Sequence, residues 1–229
     1  MISQALADLE ALANPTKAEE AAAYHKAPRR YLGASVPQID ALVVGWRAEA
    51  SLADRITLAA DLWRTDIHEA RVAAAKLLTQ ARLKPSDKNA WALICTWVPA
   101  FDAWAIADHA CKAAEKRVTA DPTRLDDVEA WTSSPNMWTR RAALVATLPF
   151  AKLNHPKPQE VAARDRILDW AAVYTQDRDW FIQKAVAWWL RDLSKHDAPR
   201  AAQFLAEHGH LMKAFARKEA AKYLGDFPE

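Results

Sequence analysis

Apolar side chains recur every three to four residues along almost the whole chain, a spacing that places them on one face of an α-helix. The breaks between these stretches carry prolines or the Ser, Thr, Asp and Asn residues that cap helices, such as Thr16 and Ser51. No stretch shows the alternation with a period of two that a half-buried β-strand needs. The pattern therefore predicts an all-α chain.

Composition supports this prediction, because glycine, which is unfavourable within helices, supplies only 4 of the 229 residues, whereas the helix former alanine is abundant. The length is enough for a substantial core, and we expect one domain over residues 1–229. We predict helices near residues 3–13, 17–26, 37–48, 51–64, 67–80, 87–98, 102–118, 122–132, 136–148, 159–174, 178–194, 198–207 and 212–224.

An internal repeat links four of these helices. The segments 68–75, 105–112, 138–145 and 181–188 align without gaps. Their fourth positions, Arg71, Asp108, Arg141 and Lys184, are separated by 37, 33 and 43 residues, which is the range of HEAT-like helical pairs. Stacked pairs form a curved α-solenoid whose concave face binds extended partners, and this is the fold class that we predict. The alternative is an alanine-rich helical bundle.

Charge is nearly balanced, with 31 basic and 29 acidic residues and a net charge of +2, so the total neither requires nor excludes nucleic acid. The distribution is less even. Residues 136–157 have four basic side chains and no carboxylate, and residues 205–222 have a local charge of +2. These segments are candidates for contact with a polyanion, although solvated helix faces would give the same pattern.

Several classes of function lack support in the sequence. Cys95 and Cys111 have neither metal-binding nor disulfide spacing, His208 and His210 lack a third ligand in register, and phosphate-binding glycine motifs are absent. We therefore expect no metal and no cofactor, and we expect the other histidines to lie on the surface or at helix caps. No apolar run approaches the roughly 18 residues of a membrane span, and no signal-type segment begins the chain. These features predict a cytoplasmic protein without membrane contact.

Large aromatic and charged side chains are combined in residues 101–108, 134–143 and 179–191. Trp104 and Asp108 are four residues apart and therefore share one face of a helix. Trp188 and Trp189 are adjacent and point about 100° apart, so one can be core while the other lines a surface. The same reasoning predicts that one of Arg140 and Arg141 pairs within the fold while the other faces a groove. Aromatic rings, a carboxylate and arginines on one surface would suit a cationic ligand held against a polyanion.

From about Tyr24 to Leu224 the chain resembles the AlkD family of bacterial DNA alkylation-repair glycosylases. The N-terminal match contains an aromatic-Leu-Gly turn before a proline, in Tyr31–Pro37. Matching residues further along are the Trp104 and Asp108 pair, Arg141, and the run Phe181–Trp188, which is the most specific signal; the segment 216–223 matches the C-terminal helix. Ala103 and Ala105 depart from the family pattern, which often has an aromatic residue and an Asp there.

The resemblance implies a HEAT-like repeat fold that removes cationic N3- or N7-alkylated purines from duplex DNA, without a metal and without extruding the base. It implies catalytic roles for Trp104, Asp108 and Trp188. It also implies DNA contacts by Arg141, Arg191, Lys184 and Tyr24. We further expect a monomer. Two alternatives remain, namely a non-catalytic helical scaffold that binds a protein and a member of the family that binds DNA structures without excising a base.

Overall fold

The structure is a computed structural model, and it describes residues 1–225. These residues form fourteen α-helices and three short 3-10 segments, and no β-strand is present among them. A single isolated bridge joins Arg30 and Ile67. The prediction of an all-α chain is confirmed.

The helices fall into two compact units, which divide between Ala120 and Asp121. The N-terminal unit contains α1 (Ile2–Glu10), α2 (Pro15–His25), α3 (Val36–Glu49), α4 (Leu52–Arg64), α5 (His68–Leu77), α6 (Lys88–Trp97) and α7 (Trp104–Ala120). The C-terminal unit contains α8 (Leu125–Thr132), α9 (Met137–Val145), α10 (Leu148–Ala151), α11 (Pro158–Tyr174), α12 (Trp180–Ser194), α13 (Ala198–His208) and α14 (Ala214–Ala220). The expectation of one domain stays a prediction.

The predicted helices correspond to observed ones, but several ends differ. The predicted helix 136–148 ends at Val145 in the structure. A turn follows, in which the Thr147 hydroxyl donates to Ala143 O at 2.9 Å. The prediction of Thr16 as an N-cap is wrong. Asn14 caps α2 by accepting from Lys17 N at 3.0 Å, and Pro15 begins the helix. The Ser51 cap is confirmed by its bond from Asp54 N at 3.2 Å.

In the N-terminal unit the core is centred on α5, which packs against α3, α4 and α7. Its inner face is formed by small, fully buried alanines, including Ala70 and Ala74, and their size allows neighbouring helices to approach closely. Trp63 and Trp97 stack in the same core with ring centroids 4.3 Å apart. The central helix α5 thus contributes small side chains to the core, whereas α4 and α6 contribute large ones.

In the C-terminal unit the core is centred on α12, which packs against α9, α10, α11, α13 and α14. Its buried residues include Ile182, Val186, Trp189 and Leu190. Two pairs of repeat segments are neighbours within the units: 68–75 lies in α5, which packs on α7, and 138–145 lies in α9, which packs on α12. The aligned segments therefore belong to helices that contact each other, as stacked helical pairs require.

Candidate functional site

Trp104 and Asp108 lie on the first two turns of α7, in the N-terminal unit. Both side chains are partly exposed, whereas Ala105 and Ala107 between them are buried. The helix therefore presents the indole and the carboxylate on one accessible face, as their spacing predicts. The two departures from the family pattern, Ala103 and Ala105, are buried and belong to the packing beneath this face.

Tyr24 provides a second aromatic ring at this face. It lies near the end of α2 with 70% of its surface exposed, and its ring meets the Trp104 indole edge-on at a centroid distance of 5.7 Å. An edge-to-face arrangement is a favoured geometry for two aromatic rings. The contact leaves Tyr24 accessible to a ligand that also touches Trp104.

Histidine side chains also lie near the indole: His25 is the last residue of α2 and His68 is the first residue of α5, and both are partly exposed. The His25 ring lies 5.2 Å from the Trp104 ring and stacks on His68 at 4.7 Å. His68 in turn stacks on Tyr31 at 4.9 Å. We call these rings, His25, His68 and Tyr31, the histidine stack. Helical periodicity does not predict this stack, because its members come from α2, the following turn and α5.

Partial burial disfavours the charged form of these imidazoles. It lowers the pKa of His68 to about 3, with further lowering by the nearby His25, Arg29 and His109. Burial also lowers the pKa of His25 and of His109, which follows Asp108 in the chain. The Asp108 carboxylate acts in the opposite direction on the pKa of His109, but burial has the larger effect. At neutral pH the histidines around Trp104 therefore add no positive charge.

Ion pairs between a buried arginine and two exposed carboxylates link segments beside the site. The Arg29 side chain is fully buried and pairs with Asp102, two residues before Trp104, and with Asp66 at 3.6 Å. Arg71 also pairs with Asp66, at 3.1 Å, and lies over the Trp63 ring. The pair with Arg29 thereby ties Asp102 to the segment that follows α2, and α2 is the helix that carries Tyr24.

The aromatic-Leu-Gly turn is held by a buried carboxylate. Glu69 accepts hydrogen bonds from Leu32 N at 2.9 Å and from Gly33 N at 2.8 Å. Gly33 has φ of 83°, and a Cβ there would lie 2.3 Å from Asn14 O, so only glycine fits. This turn and α2 line an open groove of about 720 Å³, to which Tyr24 and His25 also contribute.

In the C-terminal unit, the two adjacent tryptophans of α12 behave as predicted. Trp189 is 0% exposed, whereas Trp188 is partly exposed. Lys184, one turn earlier, is exposed, and its Nζ lies 4.6 Å from the centroid of the Trp180 ring. Arg191 is partly exposed and forms an ion pair with Glu219. Of these residues, Lys184 is the cation most accessible to a polyanion.

Arg140 and Arg141 differ in their surroundings. Arg140 donates to Ser134 O at 2.9 Å, to Pro135 O at 3.1 Å and to the Asp177 carboxylate at 3.0 Å. Arg140 therefore pairs within the fold. Arg141 has only 4% of its surface exposed, and its contact with DNA stays a prediction.

Sequence reasoning assigned no role to a second group of aromatic residues in this unit. Trp180 and Phe215 are both exposed and stack at a centroid distance of 5.8 Å, and Phe181 packs against Trp138 at 4.6 Å. Trp180 and Phe181 belong to a stretch that the sequence marks as aromatic and charged. Phe215 has no such signal, since it comes from the separate helix α14.

Among residues 1–225, no cluster of three or more His, Cys, Asp or Glu side chains could hold a metal ion. In the same part of the chain, no helix is long and apolar enough to cross a membrane.

The family model for DNA alkylation repair enzymes matches residues 5–224. The chain belongs to this family. Among solved structures, a predicted DNA alkylation repair enzyme from Enterococcus faecalis is 23% identical, with 93% of this chain and 97% of that chain covered and a TM-score of 0.78. AlkD2 from Streptococcus mutans is 18% identical, with 83% and 91% covered and a TM-score of 0.62. No curated protein sequence matches.

Family membership supports a role in DNA alkylation repair and implies that the protein binds DNA. The two solved structures support the all-α solenoid class that the sequence predicts. The matched region includes residues of both compact units.

Proposed function

We propose that this protein is a DNA glycosylase that excises cationic N3- or N7-alkylated purines, of the 3-methyladenine and 7-methylguanine type, from duplex DNA. The observation that carries the proposal is the accessible face of α7, where Trp104 and Asp108 lie one turn apart with Tyr24 against the indole. The membership of the chain in a DNA alkylation repair family also supports the proposal. The face of α7 offers an aromatic surface and a carboxylate, and its histidines are uncharged.

The substrate class explains why so few functional groups would suffice. An N3- or N7-alkylated purine is already positively charged, so it leaves without protonation by a general acid. The enzyme must instead stabilise positive charge on the departing base and on the oxocarbenium-like deoxyribose. The faces of Trp104 and Trp188 would do so through cation–π and C–H contacts. Asp108 would place a negative charge beside the sugar and orient the attacking water.

Four residues are proposed to contact the DNA: Tyr24, Arg141, Lys184 and Arg191. Tyr24 and Lys184 are exposed, and Arg191 is partly exposed and paired with Glu219. Phosphate contacts by arginine and lysine set the register of the backbone without reading sequence. Many enzymes that act on a base extrude it from the duplex, and we propose that this one does not.

Asp108→Asn tests the catalytic part of the proposal. We expect single-turnover release of N7-methylguanine from duplex DNA to fall by about 10- to 1000-fold, because one electrostatic stabiliser is worth roughly 1.4–4 kcal/mol at the transition state. Affinity for the DNA is expected to stay near that of the wild type, since asparagine keeps the volume and removes only the charge. Glu49→Gln makes the same chemical change at an exposed position on α3 and serves as the matched control.

Equal rates for Asp108→Asn and wild type would assign Asp108 a structural role and refute the scheme. If the wild type binds the methylated duplex but releases no base, the protein is instead a member that binds DNA structures without catalysis. If it binds no DNA, the same surface serves a protein partner.

A further inference from the structure

The Trp104 indole is supported from the protein core by a continuous series of rings. His25 lies 5.2 Å from Trp104 and 4.7 Å from His68, which lies 4.9 Å from Tyr31. Tyr31 is buried, and its hydroxyl donates to Ala27 O at 3.3 Å. The histidine stack therefore connects the partly exposed Trp104 indole to the buried side chain of Tyr31.

His25 is the member of this stack that touches the indole, and its environment disfavours a charge. Its Nδ1 is buried and has no hydrogen-bond partner in the described part of the chain. Burial is the main cause that lowers the pKa of His25; Arg29 lowers it further, and the carboxylate of Glu69 opposes both. The other titratable groups close to it are His68 and Tyr31 in the stack, Tyr24 beside it, and His109 on α7.

A positive charge on His25 would weaken the binding of a cationic ligand at Trp104. An imidazolium beside the Trp104 ring would repel a positively charged purine at the same ring, because two like charges at such distances interact strongly when partly shielded from water. It would also bind the indole by a cation–π interaction, which is the interaction proposed for the ligand. The neutral imidazole has neither effect.

We propose that His25 is a positioning and charge-discriminating residue of this site. As a neutral ring it orients the Trp104 indole toward the cationic purine, and as an imidazolium it competes with that purine for the indole. The inference rests on the proposed excision of cationic purines, because the competition exists only if the ligand is positively charged.

The activity test compares wild type with His25→Phe, which keeps an aromatic ring but cannot take up a proton. We expect single-turnover release of N7-methylguanine by the wild type to decline as the pH is lowered from 7.5 to 5, because the lowered pKa of His25 shifts its protonation to the acidic side of the usual range. We expect His25→Phe to remain within about threefold of wild type at pH 7.5 and to lose most of the decline. His155→Phe removes an exposed histidine from the C-terminal unit and should keep the wild-type profile. An unchanged decline in His25→Phe would overturn the inference and point to His109.

A second measurement uses the wild type without substrate and therefore separates this inference from the proposed function. In a nuclear magnetic resonance titration, the indole N–H signal of Trp104 should move with the same midpoint as the ring signals of His25. If the Trp104 signal does not follow the His25 titration, His25 does not position the indole and the inference is wrong. If it follows while the enzyme releases no base, the positioning role holds and the proposed function fails.

Discussion

At the scale of single residues, the positions that carry the family resemblance divide into two groups. Trp104, Asp108 and Trp188 are partly exposed and can meet a ligand. Gly33 and Gln183 are structural: Gly33 occupies a turn where a Cβ would collide with Asn14 O, and Gln183 is fully buried. A sequence motif shared with a family therefore marks packing requirements as well as chemistry.

The contribution of single cations to DNA binding is measurable from the salt dependence of the affinity. Lys184 is exposed, so we expect Lys184→Ala to weaken duplex binding and to reduce the slope of log K against log salt by about 0.9, the value for one phosphate contact. The proposed contact of Arg141 predicts the same change for Arg141→Ala. Lys88→Ala, which removes an exposed charge at the start of α6, is the control.

Titrations at several salt concentrations separate the two residues. A change of slope in Lys184→Ala alone would make Arg141 a packing residue, in keeping with its burial. An unchanged slope in both variants would remove these residues from the phosphate contacts.

At the scale of elements, buried polar side chains join helices to the turns around them. The Gln183 amide of α12 donates to Thr175 O at 2.9 Å and to Asp177 O at 2.8 Å, after the end of α11. Its side-chain oxygen accepts from Lys213 N at 2.8 Å, just before α14. One side chain thus connects α12 to the turns beside two other helices.

Removal of these bonds is expected to destabilise the protein. Gln183→Leu leaves buried backbone groups without partners, each of which costs about 1–3 kcal/mol, so we expect a loss of roughly 2–4 kcal/mol in the free energy of unfolding. Gln203→Leu, at an exposed position of α13, should change it by no more than about 0.5 kcal/mol. Urea denaturation at pH 7.5 measures both. A loss below about 1 kcal/mol for Gln183→Leu would contradict the structural role.

At the scale of the whole molecule, the chain has two compact units, each with a central helix of its own, α5 and α12. The family model matches residues of both units. The partly buried histidines His25, His68 and His109 all belong to the N-terminal unit. Their titration affects its stability, because partial burial lowers the pKa of each.

Folding stability is expected to fall as the pH falls below about 6.5. The pKa of His68 is about 3 in the folded protein, whereas histidine in an unfolded chain has a pKa of about 6.5, so the unfolded state takes up the proton first. Above 6.5 both states are neutral and the effect vanishes. In the window from 6.5 down to about 3, the loss approaches about 1.4 kcal/mol per pH unit for one histidine.

Urea denaturation between pH 7.5 and pH 5 tests this dependence above the range in which ordinary carboxylates titrate. His68→Phe should reduce the slope, while His155→Phe should leave it near that of the wild type. Equal slopes for wild type and His68→Phe would show that the His68 imidazole is not held neutral by the fold.

The sequence by itself determined the helical class, most helix positions and the pairing of Trp104 with Asp108. All of these depend on the geometry of a single helix, which periodicity reveals directly. It also predicted that only one of Trp188 and Trp189 is fully buried, because adjacent residues point in different directions. The sequence predicted the helix ends less accurately than the helix positions. Two possible N-cap residues, Asn14 and Thr16, lie close together, and the conformation of the turn determines that Asn14 caps α2.

Tertiary structure alone decided which residues become partners. His25 and His68 are 43 residues apart in the sequence and meet only because α2 and α5 bring them together. Likewise, periodicity does not predict the ion pair of Arg140, because its partner Asp177 comes from a separate turn. Burial and charge partners arise from packing between distant segments, and these set the protonation and accessibility of a side chain. A local pattern therefore indicates which face of a helix carries the candidate functional side chains. Packing then determines the protonation and accessibility of those side chains.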